Sequence, residues 1–124
     1  PRGQYIGDDP FMQWTKPSCV LMSEGNYSNG HGFPWAYKTL GLGKLIGAPV
    51  AGTMTAVWWE SQINPHIVFG IPQVTCSDEQ GRPLENQTLQ PDILIYNTPE
   101  QSLSGYDAQL IRAVDEMMKT LPKK

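Results

Sequence analysis

The residues around Ser28 offer the most direct chemistry in this 124-residue sequence. Ser28 lies in a polar, glycine-rich stretch, residues 24–32, between a short apolar run and a helical pattern. A Ser at a strand-to-helix turn presents its hydroxyl beside the free backbone N–H groups of the helix start, and such donors stabilise a developing oxyanion. Ser28 is therefore a candidate nucleophile, with the N–H of Asn29 as one oxyanion donor. On spacing alone, an ordinary N-cap serine remains the alternative.

The other reactive side chains are scattered. His31 follows Ser28 on the same turn, so its ring is expected to point along the helix and not back at the hydroxyl, which argues against a local Ser–His pair. Cys19 and Cys76 each lie in an apolar run, which favours buried free thiols over a disulfide. Two Cys and two His so spaced do not form a common zinc site, and we expect no metal or cofactor.

The elements that must position Ser28 form a βαβ unit. Residues 18–23 (SCVLMS) predict a buried strand, and residues 33–40 predict a helix, with Phe33, Tyr37 and Leu40 on one face. Pro34 suits the first turn of that helix. Residues 44–50 predict a second strand, parallel to the first because a helix connects them.

Beyond residue 50 the pattern continues with short elements. Strands are predicted at residues 55–59, 66–76 and 93–96, with a tight turn at residues 78–83. In the first of these strands, the Trp58–Trp59 pair is expected to place one ring in a core or interface and one outside. A final helix, capped by Ser104 or Asp107, is predicted to run to about Leu121 with a continuous apolar stripe.

Composition narrows the class of protein. The length of 124 residues is typical of one domain, so we expect a single domain, residues 1–124, with residues 1–16 as an irregular lead-in. Hydrophobic residues make up 40% of the chain, which excludes a disordered tail, and the net charge is −3. The acidic balance argues against a nucleic-acid partner. The longest apolar run is far shorter than the roughly 20 residues that span a bilayer. Because the sequence starts without Met, we expect it to be a piece of a longer protein.

Three ordered motifs resemble the core domain of the S41 peptidases, which comprise the tail-specific and tricorn proteases. The first is residues 26–35 (NYSNGHGFPW) followed by residues 40–47 (LGLGKLIG). The second, residues 84–93 (LENQTLQPDI), is similar to that family's E-N-x-G-x-x-P-D stretch. The third, residues 105–110 (GYDAQL), is similar to the G-x-D-x-Q-L that opens its last helix. The resemblance extends over residues 15–121, most of the chain.

The resemblance also indicates a branch of the family. Tail-specific proteases use a Ser–Lys dyad with the Lys in a T-F-G-K-G turn, but Thr53 stands at that position here. Thr53 cannot serve as an amine base, and Lys44 lies on the near side of its strand. The chain is therefore similar to the tricorn branch, in which a His and a second Ser from a preceding segment, together with a Glu, assist the nucleophile. Glu85 matches that Glu.

The resemblance implies an α/β fold that corresponds to the carboxyl-terminal part of a crotonase/ClpP-like core. It implies a serine peptidase that cleaves unfolded chains or oligopeptides, with Ser28 and Glu85 as catalytic residues and Asn29 in the oxyanion hole. The His and second Ser are expected before this chain, so the chain alone is expected to be inactive and to associate with the missing part of the core or with copies of itself. The alternatives are a non-catalytic peptide-binding or subunit-interaction module, or an α/β domain of unrelated function.

Overall fold

The computed structural model describes residues 14–122 as a mixed α/β structure, so most of the predicted irregular lead-in lies outside the described residues. The elements, in chain order, are β1 (Ser18–Met22), α1 (Asn29–Thr39), β2 (Gly43–Gly47), β3 (Thr55–Ser61), β4 (Val68–Thr75), β5 (Ile93–Leu94), α2 (Pro99–Ser104) and α3 (Ala108–Met118).

A parallel sheet of order β1-β2-β5 forms the centre of the described structure. Val20 pairs with Leu45 across β1 and β2, and Ile46 pairs with Ile93 across β2 and β5. The predicted βαβ unit is thereby confirmed. Asp92 ties β5 to the unit, because its Oδ2 accepts from the Leu45 N–H at 2.8 Å and its Oδ1 lies 3.0 Å from the Lys38 ammonium.

The core lies between α1 and the sheet. Met22, Tyr37, Leu45 and Val50 form one buried cluster, and burial of such side chains contributes roughly 1.5–3 kcal/mol each. The Tyr37 hydroxyl hydrogen-bonds the Ser18 Oγ at 2.8 Å, which ties the helix to the start of β1. The sheet and helix that carry Ser28 are therefore fixed to each other.

Helix α1 begins earlier than the apolar pattern predicts. It starts at Asn29 and not at Phe33, so the expectation that Pro34 occupies the first turn is wrong: Pro34 lies inside the helix. Pro34 has no N–H to donate to the Gly30 carbonyl. The Asn26 Nδ2 donates to that carbonyl instead, at 2.9 Å, and so replaces the missing helical bond.

Strands β3 and β4 form an antiparallel ribbon at the positions that the sequence predicts. Trp58 and Trp59 are 57% and 66% exposed, so within residues 14–122 neither ring lies in a core, and of the two expected placements only the interface remains. The reason is that the ribbon packs mainly on itself: in residues 14–122, neither of its faces is covered by another layer.

The carboxyl-terminal region forms two helices where one was predicted. Thr98 and Gln101 form a capping box at the start of α2, and Gly105 ends that helix in a left-handed conformation at φ 75°. Asp107, one of the two predicted caps, then accepts from the Leu110 N–H at 2.9 Å and starts α3.

Glu116 holds α3 against the sheet. It is 7% exposed and its Oε2 lies 2.9 Å from the Lys44 Nζ on β2, while Arg112 and Lys119 of the same region pair with its Oε1. The hydrogen bonds from Lys119 and Lys44 lower the pKa of Glu116 to about 2. Lys44 is thus a packing partner of α3, in agreement with its exclusion as a base.

Candidate active site

Ser28 adopts a strained backbone conformation at the turn between β1 and α1. Its φ is 54° and its ψ −114°, outside the regions that L residues ordinarily occupy. Such strain costs on the order of 1–3 kcal/mol and is found at functional sites, including the sharp strand-to-helix turn of hydrolase nucleophiles. The residue is exposed and its side chain makes no capping hydrogen bond, so it does not act as an ordinary N-cap.

The backbone N–H of Asn29 is available next to that hydroxyl. Asn29 is the exposed first residue of α1, so its N–H lies at the start of the helix. The neighbouring N–H groups are engaged, since Gly30 donates to the Tyr27 carbonyl and His31 to the Ser28 carbonyl, both at 2.8 Å. Within residues 14–122 the Asn29 N–H donates to no backbone carbonyl, and the helix start favours negative charge there.

Glu85 is a half-buried carboxylate held by two donors. Its Oε2 accepts from the Met54 N–H and from the Thr55 Oγ1, both at 2.8 Å. The Met54 hydrogen bond, and then that of Thr55, hold the pKa of Glu85 below its ordinary value. The side chain is therefore ionised at neutral pH and fixed in direction, and within residues 14–122 no hydrogen bond engages its Oε1.

The loop after β2 and the segment around Glu85 meet through a close backbone approach. The Asn86 N–H donates to the Gly52 carbonyl at 2.7 Å, and a Cβ on Gly52 would lie 2.2 Å from the backbone nitrogen of Gln87. Only glycine fits at position 52 without displacing that backbone. This contact places Glu85 against Met54 and Thr55, partners that the motif analysis did not find because no local pattern encodes them.

Glu85 lies in a groove that extends to the residue before Ser28. This groove of about 430 Å³, called here the Glu85 groove, is lined by Glu85, Thr53, Thr55 and by Tyr27, the residue before Ser28. Glu85 lines this groove and Ser28 does not, although its neighbour Tyr27 does, and within residues 14–122 no hydrogen bond joins Ser28 to Glu85. Thr53 lines the same groove.

His31 is part of the packing beneath the turn. It is 1% exposed, and its Nδ1 has no hydrogen-bond partner within the described residues. Burial lowers the pKa of His31, and the nearby Glu85 carboxylate opposes that effect only in part. A buried, neutral imidazole of this kind agrees with the expectation that His31 is not paired with the Ser28 hydroxyl.

The two cysteines do not form a disulfide with each other. Cys19 and Cys76 are free thiols, and each is half-buried where the sequence predicts burial. Residues 14–122 hold no cluster of three or more His, Cys, Asp or Glu side chains that could bind a metal ion. In that same range, no helix has the length and apolar character needed to cross a bilayer.

The chain belongs to peptidase family S41, because residues 2–95 match the sequence model of that family. It is 32% identical over 122 residues to tricorn protease from Thermoplasma acidophilum, an alignment that covers 98% of this chain and 11% of that relative. It is 25% identical over 118 residues to a putative tricorn-like protease C-terminal subunit from Sulfurisphaera tokodaii, covering 93% of this chain and 14% of that relative. The chain thus spans about a tenth of the length of these relatives.

Solved structures share the fold. The crystal structure of the tricorn protease superposes with a TM-score of 0.75 at 26% identity, over 95% of this chain and 13% of that one. Mature CPAF superposes with a TM-score of 0.73 at 22% identity, over 93% of this chain and 23% of that one. The predicted α/β class and the tricorn-like resemblance are confirmed.

Proposed function

We propose that this chain is the part of a serine peptidase core that carries the nucleophile, Ser28, and the carboxylate Glu85. The single observation that carries the proposal is the strained, exposed, uncapped Ser28 at the start of α1, beside the unengaged Asn29 N–H. Membership of peptidase family S41 and the likeness to tricorn protease support the same reaction class. The substrates are peptides or unfolded chains.

In this mechanism the Ser28 Oγ attacks the scissile carbonyl carbon while a general base takes its proton. The carbonyl oxygen becomes an oxyanion that accepts from the Asn29 N–H and from a Gly N–H supplied by the sequence before this chain. The base returns its proton to the leaving amine, and water then hydrolyses the acyl-enzyme.

The general base is proposed to be a His that precedes this chain in the full-length protein, assisted by a second Ser. Glu85 is a positioning residue: Met54 and Thr55 fix one of its oxygens, and the other oxygen orients the incoming pair. The described residues support this division, because His31 is buried and Thr53 replaces the lysine of the tail-specific branch. The chain alone is therefore proposed to be inactive.

The test is peptide cleavage by the full-length protein and two variants. Ser28→Ala is expected to abolish cleavage, whereas Glu85→Gln is expected to lower kcat by about 10² because it disturbs the base without removing the nucleophile. Glu85→Gln should also move the acid limb of the pH profile to lower pH, since loss of a nearby negative charge lowers the pKa of the base. Glu85→Asp is the matched variant that keeps the charge.

Unchanged cleavage in Ser28→Ala would reject the peptidase mechanism. If the wild-type full-length protein bound peptides without cleaving them, the non-catalytic binding module would replace it. A Glu85→Gln variant with lower kcat but an unshifted acid limb would assign Glu85 a purely structural role.

A further inference from the structure

We propose that the β3–β4 ribbon is an interface between two copies of the full-length protein, in which the free edge of β3 pairs antiparallel with the same edge of a second copy. This interface is independent of the proposed catalytic role of Ser28. Within residues 14–122 both faces of the ribbon lack a covering layer, and the edges and charges of the ribbon indicate which partner fits.

The two edges of the ribbon differ. β4 contains Pro72, which has no N–H to offer a further strand, and next to it Gln73, which has no partner in the register with β3, so a bulge interrupts this edge. β3 is a regular strand of seven residues without Pro, Gly or Lys. An edge that lacks such interruptions is a template for another strand, so β3 is the edge open to pairing.

The unpaired backbone groups of β3 follow from alternation along the strand. The N–H of Gln62, directly after β3, donates to the Ile67 carbonyl, directly before β4, at 2.9 Å. Because successive residues of an antiparallel strand point their N–H and C=O groups to opposite sides, those of Val57, Trp59 and Ser61 point away from β4. Within residues 14–122 no backbone hydrogen bond engages these groups, so they are available to a second strand.

The near absence of charge favours a second copy of the ribbon as the partner. Glu60 is the only Asp, Glu, Lys or Arg among residues 55–76. Its carboxylate accepts from the Trp58 Nε1 at 2.6 Å, which also satisfies the polar atom of that ring. A strongly charged partner would therefore lose hydration without gaining ion pairs, whereas an identical uncharged edge avoids that cost.

Symmetry fixes the register of the pairing. A two-fold axis at Trp58, the middle residue of β3, pairs the whole strand with its copy. Trp58 then lies opposite Trp58 of the second copy, and Val57 exchanges hydrogen bonds with Trp59. Glu60 lies opposite Ala56, which keeps the two Glu60 carboxylates about 13 Å apart along the strands, so like charges do not meet.

The apolar surface of the ribbon is large enough for a specific contact. Trp58, Trp59 and Phe69 are each more than half exposed, and Val57 and Ile71 are exposed by about two-fifths. With 150–250 Å² for a whole aromatic side chain, these five side chains offer about 500 Å² per copy. Two copies offer about 1,000 Å², the lower limit for a specific interface, so we expect a reversible dimer with a measurable dissociation constant.

The test is sedimentation velocity of the full-length protein over a dilution series. Ala56→Lys places an ammonium opposite Glu60 of the second copy and should lower the dissociation constant about fivefold, whereas Ala56→Glu should raise it about fivefold. Gln73→Lys and Gln73→Glu, at an exposed position on the other edge, are the charge-matched controls and should leave it unchanged. Ala56→Glu combined with Glu60→Lys should restore dimerisation.

Disulfide formation tests the register directly. An Ala56→Cys variant mixed with a Glu60→Cys variant should form an intermolecular disulfide on mild oxidation, because the Cβ atoms of opposed residues lie about 4.5–5.5 Å apart. Neither variant alone should form it, since identical positions lie about 13 Å apart along the strands. The wild type is the control for Cys19 and Cys76.

Three results would overturn the interface. The first is a full-length protein that remains monomeric at about 100 µM, as expected if another segment of the same chain covers the ribbon. The second is a dimer with the same dissociation constant in Ala56→Lys and Ala56→Glu. The third is a change in KM for peptides in these variants without a change in that constant, which would assign the edge to substrate strands. None of these readouts requires Ser28 to be a nucleophile, so a failure here leaves the proposed function standing.

Discussion

Ser28 combines an exposed hydroxyl with a backbone conformation that its residue type disfavours. The φ of 54° and ψ of −114° are unusual for any L residue with a Cβ, and glycine tolerates positive φ far more readily. The proposed role of Ser28 as nucleophile explains why serine stands at a position that glycine would occupy at lower cost, because glycine has no hydroxyl. The stability of the turn and its proposed chemistry therefore depend on the same residue, Ser28.

Ser28→Gly is expected to raise the free energy of unfolding by about 1 kcal/mol, since relief of the strain exceeds the entropy cost of glycine. Ser28→Ala keeps the Cβ and should leave stability within a few tenths of a kcal/mol, which makes it the matched control. Chemical denaturation measures both. Equal stabilities for the two variants would mean that the turn is not strained at Ser28.

His31 makes the stability of the chain depend on pH. Its folded pKa lies below the ordinary 6.5, so the unfolded chain binds a proton more readily than the folded one. Stability is therefore expected to fall as pH decreases through 6.5 towards the lowered folded pKa. His31→Gln should flatten that part of the curve, as measured by urea denaturation between pH 5 and 8, while cleavage by the full-length protein stays within a few-fold. Loss of cleavage in a folded His31→Gln variant would point to a local Ser28–His31 pair.

At the scale of elements, Asn26 connects β1 to α1. Its Oδ1 accepts from the Ser23 N–H at 3.2 Å, and its Nδ2 donates to the Gly30 carbonyl that Pro34 leaves without a partner. One side chain thus closes the turn before Ser28 and completes the helix after it. The position of Ser28 depends on this bridge.

Asn26→Ala is expected to destabilise the chain by roughly 1–2 kcal/mol, because it leaves the Gly30 carbonyl unsatisfied. Asn64→Ala is the control, since within the described part of the chain the Asn64 side chain accepts only from the exposed His66 N–H in the loop of the ribbon. Thermal denaturation compares the two variants. A loss of stability no greater for Asn26→Ala than for Asn64→Ala would show that the bridge does not hold the turn.

The sequence predicted those elements whose signals are local. β1, α1, β2 and the ribbon follow from short apolar runs bounded by Gly, Pro and polar residues. Pro34 suits a first turn and so predicts a later start for α1 than the structure has. The start of α2 does have a local signal, because Thr98 and Gln101 form a capping box and Pro99 follows the cap. The position of Glu85 depends on donors about 30 residues away, Met54 and Thr55, so no periodicity could predict it.

The same difference between local signals and contacts of distant residues applies to the candidate active site. The strand-to-helix turn identified Ser28 and Asn29 from local residue types, whereas Glu85 came from the family resemblance alone. Close approaches such as that of Gly52 to Gln87 arise from tertiary packing and leave no pattern in the chain. The apolar stripe of α3 was predicted, but its exposure was not, because a helical stripe does not reveal what covers it.

At the scale of the whole molecule, much apolar surface is uncovered within residues 14–122. The ribbon exposes Trp58, Trp59 and Phe69, each by more than half. A second surface, a groove of about 550 Å³ between α3 and β1, is lined by Leu21, Leu110 and other apolar side chains. Surfaces of this size mark contacts with other protein segments.

The isolated chain is accordingly expected to self-associate. Size-exclusion chromatography with light scattering should give masses above the 13.8 kDa of one chain, and a dye specific for exposed apolar surface should bind. Leu110→Glu, in the groove between α3 and β1, should weaken both signals, whereas Asp115→Glu on the same helix should not. A monomer that remains folded on dilution and binds no dye would contradict the prediction that these apolar surfaces need a protein partner.

The most direct test of the central claim is covalent labelling by a fluorophosphonate, read out by mass spectrometry of the modified peptide. We expect labelling at Ser28 in the full-length protein, loss of labelling in Ser28→Ala, and no labelling of the isolated chain of residues 1–124, because a serine without a base reacts slowly. A folded full-length protein that resists the probe at Ser28, or that is labelled at another serine responsible for cleavage, would contradict the account.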